Sequence, residues 1–166
     1  MPHSPMVGRF RHWFEQECDA IDRTIASLGA IPESGRESEE YRKALSILAH
    51  VIVARGVWLD RFRGTAPAGL TMFPADKNIE QIAADWITTR NAWQSYLEGL
   101  SDEGLAEDFA YHSSDGGHWH NSIEDTLVQL FTHSAYHRGQ IAMLVKLAGG
   151  EPPVTDYIYW CRRPVE

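Results

Sequence analysis

Residues Ala44 to Leu59, ALSILAHVIVARGVWL, are apolar on nearly every side of a helix, interrupted mainly by Ser46, His50 and Arg55. A helix that is apolar all round must be covered on all sides, so it belongs at the centre of a bundle. His50 is thereby stripped of water, and burial favours its neutral imidazole. A neutral buried imidazole is satisfied either by a hydrogen bond at each ring nitrogen or by a metal ion. For a histidine on its own, hydrogen bonding is the ordinary outcome.

Helices able to cover this segment flank it in the sequence. Phe10, Trp13, Phe14, Cys18, Ile21, Ile25 and Leu28 mark one face of a first helix, opened by Ser4 as N-cap with Pro5 following and ended at Gly29. After a connector with Pro32, Ser34-Gly35-Arg36-Glu37 has the form of a capping box for the second helix. Gly64, Pro67, Gly69 and Pro74 turn the stretch from Arg61 to Lys77 into a long loop. Near its far end, Met72 and Phe73 either line a pocket or pin the loop to the core, and pinning is the simpler expectation. Asn78-Ile79-Glu80-Gln81 opens a third helix carrying Ile82, Trp86, Trp93 and Leu97. Two β-prone runs around Asp115-Gly116-Gly117 predict a small hairpin. Capping signals from Asn121 to Asp125 then open a fourth helix that runs to about Ala148, where Gly149-Gly150-Glu151-Pro152-Pro153 ends it. The tail from Val154 to Trp160 is too aromatic to stay free of the bundle. The expected fold is all-α: a four-helix bundle with a small hairpin insertion between helices 3 and 4, one domain over residues 1–166.

The fourth helix carries the second chemical signal. His133 and His137 stand four residues apart, about 40° around a helix axis and one turn above each other, so both can reach one ion. With Gln129 and Gln140 they form a polar stripe beside an apolar one. H-x-x-x-H alone is a weak pattern. Set beside a desolvated His50, it reverses the ordinary reading: His50, His133 and His137 become three neutral nitrogen donors from facing helices, where bundles build metal sites. Three protein ligands leave a coordination position open, as in catalytic sites. Imidazole suits zinc or nickel best, with iron, cobalt and copper also acceptable. Gln129 and Gln140 are candidates either to support the ligands or to bond a neighbouring helix. Gly139 is expected to permit close helix packing and Arg138 to pair with a carboxylate at the bundle or dimer surface; neither is assigned a chemical role. No side chain stands out as a general base, and no catalytic residue is assigned.

The remaining features exclude more than they add. A net charge of -8 without a basic cluster argues against nucleic acid. No apolar run approaches the ~20 residues of a membrane span, and Met1-Pro2-His3-Ser4 does not open a secretory signal. The two cysteines, Cys18 and Cys161, form no C-x-x-C pair and fit a cytoplasmic setting. His112, His118 and His120 of the hairpin lack the marks of a closed ligand set and read as exposed residues.

Leu48-Ala49-His50 with Trp58, Leu59 and Arg61, the segment from Phe131 to Gln140 containing His137-Arg138-Gly139-Gln140, and the Thr155-Asp156-Tyr157-Ile158 tail together resemble the DinB-like family of metal-binding four-helix bundles. The resemblance spans nearly the whole chain. It implies a homodimer with a divalent metal at His50, His133 and His137. It also implies a metal-dependent enzyme acting on a small-molecule substrate, a transferase or isomerase that uses a low-molecular-weight thiol such as mycothiol or bacillithiol. The alternative is a non-catalytic metal-binding module for stress response or interaction. Where this chain has Gln129 and Tyr136, members often carry histidine, so no further ligand transfers to those positions.

Overall fold

The computed structural model describes residues 5–65, 69–113 and 115–165, so that Ser4, Pro67 and Ser114 lie outside the described residues. Helix α1 (Met6–Gly29) buries Phe10, Phe14, Glu17, Ile21, Thr24 and Leu28, spaced three or four residues apart on one face. Pro5 precedes it, and its carbonyl accepts from the amides of Gly8 and Arg9. A single turn, α2 (Glu33–Arg36), follows. Here the expected capping box is corrected. Ser34 sits inside α2, and the long second helix, α3 (Glu39–Phe62), is capped by Ser38, whose hydroxyl accepts the Tyr41 amide at 3.1 Å. Glu39 and Glu40 occupy the first turn, where the helix dipole favours negative charge. The cause is steric. Gly35 approaches the chain so closely that a Cβ would collide with the carbonyl oxygen of Ala148. The Ser34-Gly35 turn is committed to that contact and the chain restarts its helix afterwards.

Helix α4 (Ile79–Gly99) opens with the expected box: the amides of Gln81 and Asn78 each donate to the other's side-chain oxygen at 2.9 Å. One turn, α5 (Asp102–Leu105), leads to the hairpin of β1 (Asp108–His112) and β2 (His118–Ser122). The strands are antiparallel, with His112 opposite His118 and Ala110 opposite His120. Ser122 caps α6 (Ile123–Leu147) by accepting the Asp125 amide at 3.0 Å. At its end, the amide of Gly150 donates to Val145 and that of Gly149 to Lys146. With Gly149 at φ +79°, this is a Schellman ending, for which a residue without Cβ is needed. The short α7 (Tyr157–Cys161) lies in the tail.

The four long helices make the expected bundle. Helix α3 packs chiefly on α6 and α4, and α1 packs on α4 and α6. Trp86 and Trp93 fill the core; their ring nitrogens donate to Asp22 at 2.8 Å and to the Arg55 carbonyl at 3.0 Å. Each buried large side chain contributes roughly 1.5–3 kcal/mol through removal of apolar area from water. Phe109 packs edge-on against Trp58 and Phe62, seating the hairpin on the end of α3. The tail docks on α1 through Gln16, whose amide donates to Thr155 at 2.9 Å, and through Trp160 against His12. It covers the bundle on one side only, since Val154, Ile158 and Tyr159 remain more than half exposed. Among the described residues no helix is long and apolar enough to cross a membrane.

Candidate metal centre

Midway along α3, His50 points at α6, where His133 and His137 stand one turn apart. The Nε2 atom of His133 lies 3.2 Å from that of His50 and 3.1 Å from that of His137. The three donor atoms fall within 4.8 Å of one another. An ion about 2.1 Å from each imidazole nitrogen separates its ligand atoms by roughly 3.4 Å if tetrahedral and roughly 3.0 Å on an octahedral face. The two separations from His133 lie between these values, and the third is no more than 4.8 Å. The residues thus fit a small divalent ion, and all three expected donors are brought together.

The second nitrogen of two rings is already engaged. His50 Nδ1 is 2.8 Å from the carbonyl oxygen of Met72, which can only accept, so Nδ1 carries the proton. His137 Nδ1 is 2.8 Å from Gln140 Oε1, and the Gln140 amide nitrogen donates to the Tyr136 hydroxyl at 3.1 Å; with the amide in this orientation the oxygen accepts and Nδ1 carries the proton. Both rings therefore carry an unprotonated Nε2, and both lone pairs converge on the Nε2 of His133. A proton on His133 Nε2 can serve only one of them well. A cation serves all three, and carbonyl or amide support of the outer nitrogen is the usual way a ligating histidine is held.

Burial disfavours protonation of two of the three rings, His50 and His133. Burial lowers the pKa of His50, against a smaller raising effect of the Met72 carbonyl. Burial is also the largest influence on His133, followed by His137, His50 and Arg55, and its pKa is pushed down to about 4.

The loop before α4 reaches this site rather than the core. Phe73 is half exposed and lies flat on His50, with ring centroids 3.8 Å apart and planes within 3°. The pinning expected of Met72 and Phe73 is corrected: they hold a histidine of the candidate cluster. Nothing in the local sequence marks this, because the contact joins positions 22 and 23 residues apart through a loop. Of the two glutamines, Gln140 supports His137, whereas Gln129 is exposed and makes no side-chain hydrogen bond among the described residues. Tyr136 stands at the rim with 64% of its surface exposed.

Behind His133 the bundle encloses a charged group that the sequence reading did not assemble. Glu17 of α1 is 1% exposed. Arg138 Nη1 donates to it at 2.6 Å and to the Ser134 hydroxyl at 2.8 Å, and that hydroxyl donates to Glu17 in turn. Arg55 Nη2 lies 2.9 Å from the other carboxylate oxygen but off the line of a hydrogen bond. Its guanidinium is also 5.4 Å from the centre of the Phe131 ring and 5.8 Å from that of Phe14. Burial would raise the pKa of Glu17, but Arg55, Arg138 and the Ser134 bond outweigh it and hold it below its ordinary value. A signal was present: positions 10, 14, 17, 21, 24 and 28 make one stripe, and Glu17 is its charged member. Arg138 thus meets a carboxylate in the interior and not at the surface. Gly139 permits no close packing, since a Cβ there would meet open space.

Cys18 and Cys161 are free thiols outside the histidine cluster. Burial pushes the Cys18 thiol up to about 12, so it stays protonated. His112, His118 and His120 are exposed. No curated protein matches the chain. The family model of the DinB superfamily matches residues 11–141, a span that contains all three converging histidines and Gln140.

Proposed function

This chain belongs to the DinB superfamily, and we propose that it binds a divalent metal ion, zinc or nickel, through His50, His133 and His137 and uses it on a small-molecule substrate. The observation that carries this is the convergence of three imidazole nitrogens, with the outer nitrogens of His50 and His137 engaged by the Met72 carbonyl and Gln140. An ion held by three neutral imidazoles keeps its double charge and acts as a Lewis acid toward oxygen or sulfur.

The surrounding residues favour a thiol as the reacting group. No carboxylate shares the histidine cluster among the described residues, so no strong base is at hand to activate an alcohol or water. A thiol, with an unperturbed pKa of about 8.5, needs the least help to ionise. Tyr136 accepts from Gln140, which leaves its own hydroxyl proton free to donate to a substrate at the rim. Phe73 covers one face of His50 and keeps water from that side. The finer reading is a thiol-dependent S-transferase or isomerase, working as a homodimer in the cytoplasm.

A second reading rests on where the ligands come from. His50 on α3 and the pair on α6 tie together two extensively packed helices, so an ion also staples the bundle by binding only the folded state. In that case the protein is a metal-binding module without turnover.

The decisive measurement is elemental analysis of untagged protein purified without nickel resin, alongside His50→Ala, His133→Ala and His137→Ala. A metal content lower by one ion per chain in each variant than in the parent supports the site. Unchanged metal content in His50→Ala overturns it. Consumption of a small thiol with an electrophile by the loaded parent, absent in the variants, supports the enzyme. Chelation that lowers the melting temperature of a protein with no such activity supports the module.

A further inference from the structure

The hairpin carries a second set of imidazoles, and the strand register gives them a relation that their sequence spacing did not show. Pairing sets His112 directly opposite His118. The next pair toward the turn, Ser113 with Gly117, is joined by an amide-to-carbonyl bond of 2.9 Å. His112 and His118 therefore form a non-hydrogen-bonded pair, the kind in which cross-strand side chains come closest. Their ring centroids are 4.5 Å apart, with planes inclined at 66°. Alternation puts Asp108, Ala110, His112, His118 and His120 on one face and Phe109 and Tyr111 on the other. The second face is seated on Trp58. The first is exposed to solvent. Arg61, the nearby cation, stacks on Trp58 and Tyr111, on the inner side.

We propose that His112 and His118 chelate a divalent transition-metal ion on the outer face of the hairpin, a site separate from the one on α3 and α6. The class of ligand follows from the donors. Two imidazoles without a thiolate or carboxylate select borderline cations, with copper(II) and nickel(II) ahead of zinc and well ahead of magnesium or calcium. The backbone ladder holds both rings on one face before the ion arrives, so the second nitrogen binds intramolecularly and the pair exceeds a single histidine by about 100-fold. His120 lies on the same face but turns toward Asp108, its Nδ1 3.9 Å from the carboxylate. It is not one of the two anchors.

The test is calorimetric titration of untagged, metal-stripped full-length protein with nickel(II), repeated with copper(II). The variant His133→Ala, in which the bundle site is disabled, still takes up one ion. Adding His112→Ala or His118→Ala weakens that remaining uptake by about 100-fold, and adding His120→Ala leaves it within about twofold. Copper bound to the His133→Ala variant shows two imidazole nitrogens by electron paramagnetic resonance. Both rings are exposed, so these substitutions leave the fold intact, which circular dichroism verifies. If uptake by His133→Ala is unchanged by loss of His118, or is lost with His120, the proposal is overturned. Failure of the bundle site alone reads differently: the parent then binds a single ion, and His118→Ala removes it.

Discussion

Phe73 and His50 lie face to face, 3.8 Å between centroids, although one belongs to a loop and the other to the most buried helix of the bundle. The stack and the Met72 carbonyl together hold the imidazole in one orientation. Phe73→Ala removes the stack while leaving the carbonyl in place. Stacked aromatic pairs contribute about 0.5–1.5 kcal/mol, so metal affinity falls by about 3- to 10-fold, read by competition with a chromophoric chelator. Because Phe73 is half exposed, the metal-free melting temperature stays within about 3 °C.

Gln140 governs the other fixed tautomer. Gln140→Ala frees His137 Nδ1 and weakens metal binding by about 10- to 100-fold, the usual cost of losing a partner of a ligating histidine. Gln140→Glu restores an acceptor and holds affinity at or above that of the parent. Tyr136→Phe removes an acceptor of the amide nitrogen only, so affinity is unchanged. Equal affinities across all three variants would contradict the tautomer argument.

The interior ion group makes a stability prediction independent of any metal. Glu17→Gln keeps the size of the side chain but leaves Arg55 and Arg138 without their shared counter-charge. Breaking a buried pair in this way costs about 3–5 kcal/mol. Urea unfolding of the metal-free protein should show the loss as a lower midpoint with an unchanged slope. A change below about 1 kcal/mol, the range of an exposed pair, would mean that the carboxylate is solvated.

Acid weakens the metal-free fold by two routes with the same sign. His133 is held at about 4 against an ordinary 6.5, and His50 is shifted in the same direction. Between those values the unfolded chain binds protons that the folded chain does not, so stability is complete above about 6.5 and declines as pH falls toward 4. Glu17 sits below its ordinary 4.5; its contribution is present above that value and is lost as pH falls further. Urea midpoints measured from pH 8 to 3.5 should be flat at first, decline below about 6.5 and steepen below about 4.5. His133→Gln shrinks the upper limb and spares the lower one. A parent profile that stays flat down to pH 5 contradicts the histidine shifts.

What the sequence disclosed and what it withheld divide along a physical line. Features set by local spacing were legible: the faces of α1 and α4, the Asn78–Gln81 box, the hairpin around Gly116, and the placement of His133 and His137 on one turn. His50 was legible because a helix apolar on all sides leaves a histidine no solvent. Features set by distant contacts were not. Ser38 displaced Ser34 as a cap because Gly35 is pressed against the far end of α6. Met72 and Phe73 reached His50 through a loop whose path no periodicity records. The Glu17 group lay between these cases: its members interrupt apolar stripes on three separate helices, but only the assembled bundle shows that they interrupt them at one place.

Along α6 the residues alternate in allegiance. His133 and His137 look toward α3, while Ser134 and Arg138, one position on, grip Glu17 of α1. Neither rotating nor sliding the helix could widen the aperture between the imidazoles without tearing a charge pair out of dry surroundings. The placement of the α6 pair opposite His50 is consequently held by a carboxylate that lies outside the histidine cluster.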